Sequence, residues 1–318
     1  MVQIGYALSS EEHAPQKLIQ NARRAEETGF TFALISDHFH PWISKQRESP
    51  FVWSVLGGIA QATQKIRLGT GVTCPLIRIH PVIIAQAAAT IAGLMPGRFF
   101  LGLGTGENLN EHITGEKWPP FDIRVKMLEE AVEIIRLMWE GGSQSYNGDY
   151  YTVENAEIYS LPDELPAIML AASGEKAGEF AGQFGDGLIT TKADKAVVQS
   201  FKKAQKGNRP MIGQVSVCWA ADEKSAIKTV SEWWPNAGLG GELSQELPTP
   251  AHFEQAVKTV RTDDLTESVA CGNDPKKHLE MIQKFIDVGI DQVYVHQIGP
   301  DQDGFFEFYQ KHILPEFS

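Results

Sequence analysis

Leu18-Ile19-Gln20-Asn21-Ala22-Arg23-Arg24-Ala25-Glu26-Glu27-Thr28, then Gly29, then Phe32-Ala33-Leu34-Ile35 sets out the architecture in miniature. Leu18 to Thr28 reads as an amphipathic helix. Gly29 reads as its terminator, because glycine adopts the left-handed conformation at little cost. Phe32 to Ile35 is short and wholly apolar, as a parallel strand buried on both faces should be. The unit recurs. Ala177 to Phe184 leads to Gly185 and Gly187-Leu188-Ile189-Thr190, and Leu279 to Val288 leads to Gly289 and Gln292-Val293-Tyr294-Val295.

Extending the pattern along the chain gives eight strands, near residues 2–7, 32–36, 66–72, 98–103, 167–171, 187–191, 213–219 and 292–296. Helical periodicity separates most of them, most clearly over Val125 to Trp139. Eight alternating strands and helices predict a closed (β/α)8 TIM barrel; an open doubly wound sheet is the alternative. All 318 residues are assigned to one domain. Two connections are too long for a simple crossover, so insertions are expected after strands four and seven. The first contains Asn147-Gly148-Asp149 between tyrosines, a hairpin signal.

The bulk numbers narrow the function. Apolar residues make up 42% of the chain and charged residues 21%, enough for a large core. The net charge of −12, with no basic run, argues against nucleic acid or an anionic membrane surface as a partner. Cys74, Cys218 and Cys271 are odd in number and widely spaced, which suggests free thiols in the cytoplasm. No signal peptide and no membrane span are read from the sequence.

Barrel enzymes carry their chemistry on the loops after the strands. Asp37-His38 places a carboxylate beside an imidazole after strand two, with Trp42 close behind. Gly104-Thr105-Gly106-Glu107 sets a carboxylate on a flexible backbone after strand four. His38 and Glu107 facing one cavity would supply a base and an acid to a substrate between them. The plain alternatives are a strand-capping histidine, a solvated loop carboxylate and a packed tryptophan anchor. His38-x-His40 has too few later partners to make a metal site, so no metal is expected. Gly102-x-Gly104 lacks the third glycine and the acidic residue of a dinucleotide fingerprint.

Ser36-Asp37-His38-Phe39-His40-Pro41-Trp42 resembles the segment after strand two in coenzyme F420-dependent glucose-6-phosphate dehydrogenases of the luciferase-like superfamily. Gly102-Leu103-Gly104-Thr105-Gly106-Glu107-Asn108-Leu109-Asn110-Glu111 is similar to the same group's strand-four segment. Pro81 to Ala89, Gly148-Asp149-Tyr150-Tyr151, Ala181 to Gly187 and Val293 to His296 extend the likeness over essentially the whole chain. The resemblance implies a homodimeric oxidoreductase that binds F420 in the barrel mouth. An FMN-dependent monooxygenase or reductase of the same superfamily is the first alternative, and a non-catalytic flavin-binding protein the second.

Residue by residue, the resemblance makes His38 the catalytic base, Glu107 the carboxylate that manages the proton on the deazaflavin ring, and Trp42 the neighbour of the reacting centre. Asp37, Cys74, Thr105, Gly106, Asn110, Ser173, Gly174, Lys176 and Ala177 fall where the family contacts its cofactor. Asp37 is also a candidate to orient His38. Cys74 and Ser173 depart from the family in residue type. A non-proline cis peptide is implied near Gly71-Val72. Glu11, Thr191 and Lys192 are candidate substrate contacts. Where sugar-phosphate members place cations, this chain has Asp194, Ser244 and Ser268, with Lys192 and Lys195 nearby. A neutral alcohol, or the reverse reduction of a carbonyl or activated alkene, is therefore expected in place of glucose 6-phosphate.

Overall fold

The computed structural model describes residues 2–317. Its strands are β1 (Gln3–Leu8), β2 (Phe32–Ile35), β3 (Arg67–Thr70), β4 (Phe99–Leu103), β5 (Gln144–Asn147), β6 (Thr152–Ala156), β7 (Ala167–Ala171), β8 (Gly187–Thr190), β9 (Met211–Cys218), β10 (Val269–Cys271) and β11 (Gln292–Gln297). The eight strands read from the sequence are β1–β4, β7–β9 and β11. They pair in parallel in the order β1-β2-β3-β4-β7-β8-β9-β11, and β11 returns to β1, so the sheet closes on itself. The expected (β/α)8 barrel is what the chain forms.

Strand alternation fills the barrel. Ala7, Phe32, Leu34, Phe100, Met169, Ile189, Ile212 and Tyr294 turn inward and pack as one buried cluster. Their alternates, such as Ile4, Ala33, Leu101, Ile168 and Val293, face the surrounding helices. Phe32 has room because its neighbour across the strands is Gly5, where a Cβ would stand 2.6 Å from the ring. The plug leaves the C-terminal strand ends as the place where a ligand can sit.

Helix boundaries follow local chemistry. The first helix runs Pro15–Thr28 and ends on Gly29 at φ 110, whose N–H reaches the carbonyls of Ala25 and Glu26. Gly289 does the same at φ 95. Gly185 does not: its φ is −90, and it is needed for space, since a Cβ there would stand 2.9 Å from the Ala181 carbonyl and the Leu170 side chain. The helix read as Val125 to Trp139 begins earlier, at Phe121, directly after Pro120.

Both long connections carry extra structure. The first holds helix Phe121–Trp139 and the antiparallel β5–β6 hairpin. The second holds helices Glu223–Trp233, Pro250–Ala256 and Thr262–Ser268, and returns through β10, which pairs in parallel with the upper end of β9. This second insertion packs on the barrel mouth through two apolar nuclei. One gathers Cys218, Ala226, Val230, Leu265, Val269, Cys271 and Ile298, and the other gathers Ile43, Leu109 and Phe253 under Trp42. Buried Arg124 ties the two insertions: its guanidinium donates to Pro119 O (2.8 Å), Gln245 Oε1 (3.0 Å) and Glu246 Oε1 (3.3 Å). Among the described residues, no helix is long and apolar enough to cross a membrane.

Candidate active site

β1 delivers Ser9-Ser10-Glu11-Glu12-His13 to the mouth, and β2 delivers Ser36-Asp37-His38 beside it. Glu11 is 2% exposed, a carboxylate that burial obliges to find partners. One oxygen accepts from Ser36 Oγ (2.7 Å) and Ser9 Oγ (3.0 Å). The other lies 3.2 Å from His38 Nδ1. The His40 carbonyl is also 3.3 Å from that nitrogen. Both neighbours of Nδ1 are acceptors, so Nδ1 carries a hydrogen and Nε2 is the nitrogen left to the mouth.

Nε2 looks towards Glu107. The 4.0 Å between His38 Nε2 and Glu107 Oε2 is beyond hydrogen-bond reach, so each retains a face towards the mouth. Trp42 stands edge-on to the His38 ring at 4.9 Å, and Phe253 of the second insertion stands edge-on to Trp42 at 5.1 Å. The sequence-read trio of His38, Glu107 and Trp42 is thus brought to one place. A base with its orienting carboxylate, a second carboxylate and an apolar wall suit proton transfer coupled to redox chemistry.

Two of the expected site residues have partners that the sequence did not show. Glu11, a candidate substrate contact, is buried behind His38 and engages that ring. Asp37, a candidate to orient His38, turns the other way: its oxygens accept from Thr73 Oγ1 (2.8 Å) and Arg78 Nη2 (2.9 Å). Arg78 also binds Glu111, through its backbone N (2.9 Å) and Nε (3.4 Å). Burial opposes the Arg78 charge, but Asp37 and Glu111 outweigh it and raise its pKa. The loops after β2, β3 and β4 are locked together by this charge cluster.

The expected cofactor contacts divide into two groups. Asp37, Cys74 and Asn110 are buried beneath the mouth. Asn110 Oδ1 accepts from the backbone of Phe39 (2.9 Å) and His40 (3.1 Å), while its Nδ2 donates to Glu107 Oε2 (3.3 Å). Cys74 lies under Gly106, and burial pushes its thiol pKa well up. By contrast, Thr105, Gly106 and Ala177 are half-exposed, and Ser173, Gly174, Lys176, Thr191 and Lys192 are exposed along the rim.

That rim fits a flat ring with an anionic tail. Gly71–Val72 is a cis peptide, as expected, and Val72 packs on the cluster that plugs the barrel. Gly106 adopts φ +73 and comes so close to Cys74 that a Cβ would stand 2.5 Å from its Sγ. Gly174 opens directly onto helix Glu175–Phe184, and a Cβ there would meet nothing within 4 Å. Backbone N–H groups at that helix start, with Lys176 beside them, suit a phosphate.

Sequence reasoning missed a second carboxylate–imidazole pair. Glu12 Oε2 lies 2.8 Å from His296 Nε2, and Glu12 Oε1 accepts from Gly299 N (2.8 Å). Two consecutive acids after an apolar strand were the available signal. Which imidazole each would meet depends on strands far apart in sequence.

Residues 1–292 match the family model described as luciferase-like monooxygenase. The chain is 33% identical to an F420-dependent glucose-6-phosphate dehydrogenase of Nocardia farcinica, over 99% of this chain and 97% of the relative. The Mycobacterium tuberculosis enzyme of the same name is 32% identical over the same shares. Among solved structures, an F420-dependent secondary alcohol dehydrogenase in complex with an F420-acetone adduct superposes with a TM-score of 0.91, at 28% identity and 98% coverage of each chain. A monooxygenase from Streptomyces bottropensis, covering 99% of this chain and 100% of its own, is 16% identical with a TM-score of 0.76, a likeness of fold alone.

Proposed function

The chain belongs to the luciferase-like family, and from that premise we propose that it is an F420-dependent oxidoreductase moving hydride between the deazaflavin and a small uncharged alcohol or carbonyl. The observation that carries this reading is the Glu11–His38 bond, which leaves His38 Nε2 as a lone-pair base facing Glu107 under Trp42.

When bound, F420 supplies a ring carbon that accepts or returns hydride. Thr105, Gly106, Ser173, Gly174, Lys176 and Ala177 would hold it. His38 Nε2 takes the substrate's hydroxyl proton, and the buried Glu11 carboxylate stabilises the resulting imidazolium through Nδ1–H. Glu107, with a side chain 31% exposed, would exchange a proton with the bound ring. Trp42 and Phe253 exclude water from the reacting side.

An uncharged substrate fits this mouth. Asp194 spends its carboxylate capping the helix after β8, on Ala196 N at 2.8 Å. Ser268 is exposed and donates to Asp264 O. Glu107 keeps a face towards the mouth and disfavours a dianion there. Thr191 and Lys192 stand at the rim as candidate substrate contacts. A homodimer belongs to the same reading, because Phe51, just before helix Val52–Ala62, and Ile83 and Leu94, on the adjoining helix Pro81–Leu94, leave apolar side chains exposed at 56%, 53% and 43%.

The test is a titration with F420 and with FMN, followed by addition of isopropanol and of acetone. F420 should bind, and its oxidised absorbance should bleach with isopropanol or return with acetone. His38→Ala should lower kcat about a hundred- to ten-thousand-fold without weakening F420 binding. Tighter binding of FMN, or full turnover by the alanine variant, would overturn the reading.

A further inference from the structure

Glu11 and Glu12 are consecutive, yet each holds a different imidazole: His38 at the end of β2 and His296 at the end of β11. These strands flank β1, so the two histidine backbones stand about two strand spacings apart, ~10 Å. The alternation that turns Tyr294 into the barrel turns His296 the same way, one layer nearer the mouth. Glu12 Oε1 accepts from Gly299 N, and Oε2 faces His296 Nε2, so Nε2 carries the hydrogen. In the neutral ring the other nitrogen, Nδ1, bears a lone pair. It is buried, and it has no hydrogen-bond partner among the described residues. Trp234 stands edge-on to the ring at 4.4 Å, and half-buried Ser216 is its register neighbour on β9. As at His38, a carboxylate holds one ring nitrogen, here Nε2, and the other is left without a hydrogen-bond partner among the described residues.

We propose that His296 reads the substrate: its Nδ1 accepts a hydrogen bond from a second substrate hydroxyl, distinct from the one His38 deprotonates. The preferred substrates are accordingly uncharged polyols, with simple mono-ols as poorer ones. This rests on the alcohol reading above and deepens it.

Two amide variants separate the ring's two bonds. In His296→Gln the amide reaches the Nε2 position, keeping Glu12 paired while nothing replaces Nδ1. In His296→Asn the amide sits near the Nδ1 position and leaves Glu12. Calorimetry on the F420-bound full chain would compare isopropanol with glycerol, xylitol and sorbitol. The wild type should bind at least one polyol about tenfold more tightly than isopropanol, one good hydrogen bond's worth. His296→Gln should lose that preference and His296→Asn should keep much of it, both binding isopropanol as before. Loss in both variants with unchanged isopropanol affinity also supports the proposal. No preference in the wild type, retention in His296→Gln, or loss accompanied by weaker isopropanol binding would overturn it. Bleaching of F420 by these alcohols is read separately: binding preference without bleaching counts against hydride transfer and leaves the role of His296 standing.

Discussion

His38 works as a base in one tautomer only, and Glu11 selects it. Glu11→Gln keeps the size of the side chain but removes the charge that balances an imidazolium. It should lower kcat about a hundredfold and leave the KM for F420 nearly unchanged, as steady-state kinetics would show. Gly106→Ala should act differently. Its φ of +73 costs an L residue about 1–2 kcal/mol, and the new methyl meets Cys74. F420 affinity should fall while His38 stays poised, which fluorescence titration would report as a raised Kd. His38, Glu107 and Trp42 were legible in the sequence because they sit directly after apolar strands. The task of Glu11 was not, because residue type does not say which way a buried carboxylate points. Asp37 illustrates the same limit: it adjoins His38 in sequence and faces Arg78 in space.

The strands and most helices were legible element by element, since an apolar run bounded by glycine has few other readings. What the sequence left out was the interior of the second insertion. Its helices are short, its prolines and glycines read as loop, and β10 has only three residues. Such a strand is defined by its partner β9 and not by its own pattern. Arg124 is the clasp between this insertion and the first, stacked 4.3 Å over Trp118. Arg124→Leu should free the short helix Leu243–Glu246 and cost that segment about 1.5–3 kcal/mol of local stability. Hydrogen–deuterium exchange should quicken around residues 243–256 while the barrel strands keep their protection.

Two expectations belong to the whole molecule. His278 is buried between Gly272 O (3.0 Å) and Tyr309 Oη (3.1 Å), and burial holds its pKa below the ordinary 6.5 despite the Gly272 carbonyl. The folded ring stays neutral where the unfolded ring takes a proton. Its contribution is therefore complete above about pH 6.5 and is lost as pH falls below that value, at up to about 1.4 kcal/mol per pH unit. His13 acts in the same direction, its pKa lowered chiefly by burial. Urea midpoints should fall through this window, and His278→Gln should flatten the slope while lowering stability near neutrality. At the level of assembly, the proposed homodimer predicts that Ile83→Asp yields monomers in light scattering. A wild type that is itself monomeric, or a mutant that stays dimeric, would overturn that interface. The apolar nuclei of the second insertion draw in Cys218 and Ile298 from the barrel and Ile43 and Leu109 from the loops after β2 and β4. Drift in that module is therefore felt at Trp42 and the loops that carry the proton-handling groups, so selectivity and alignment change together.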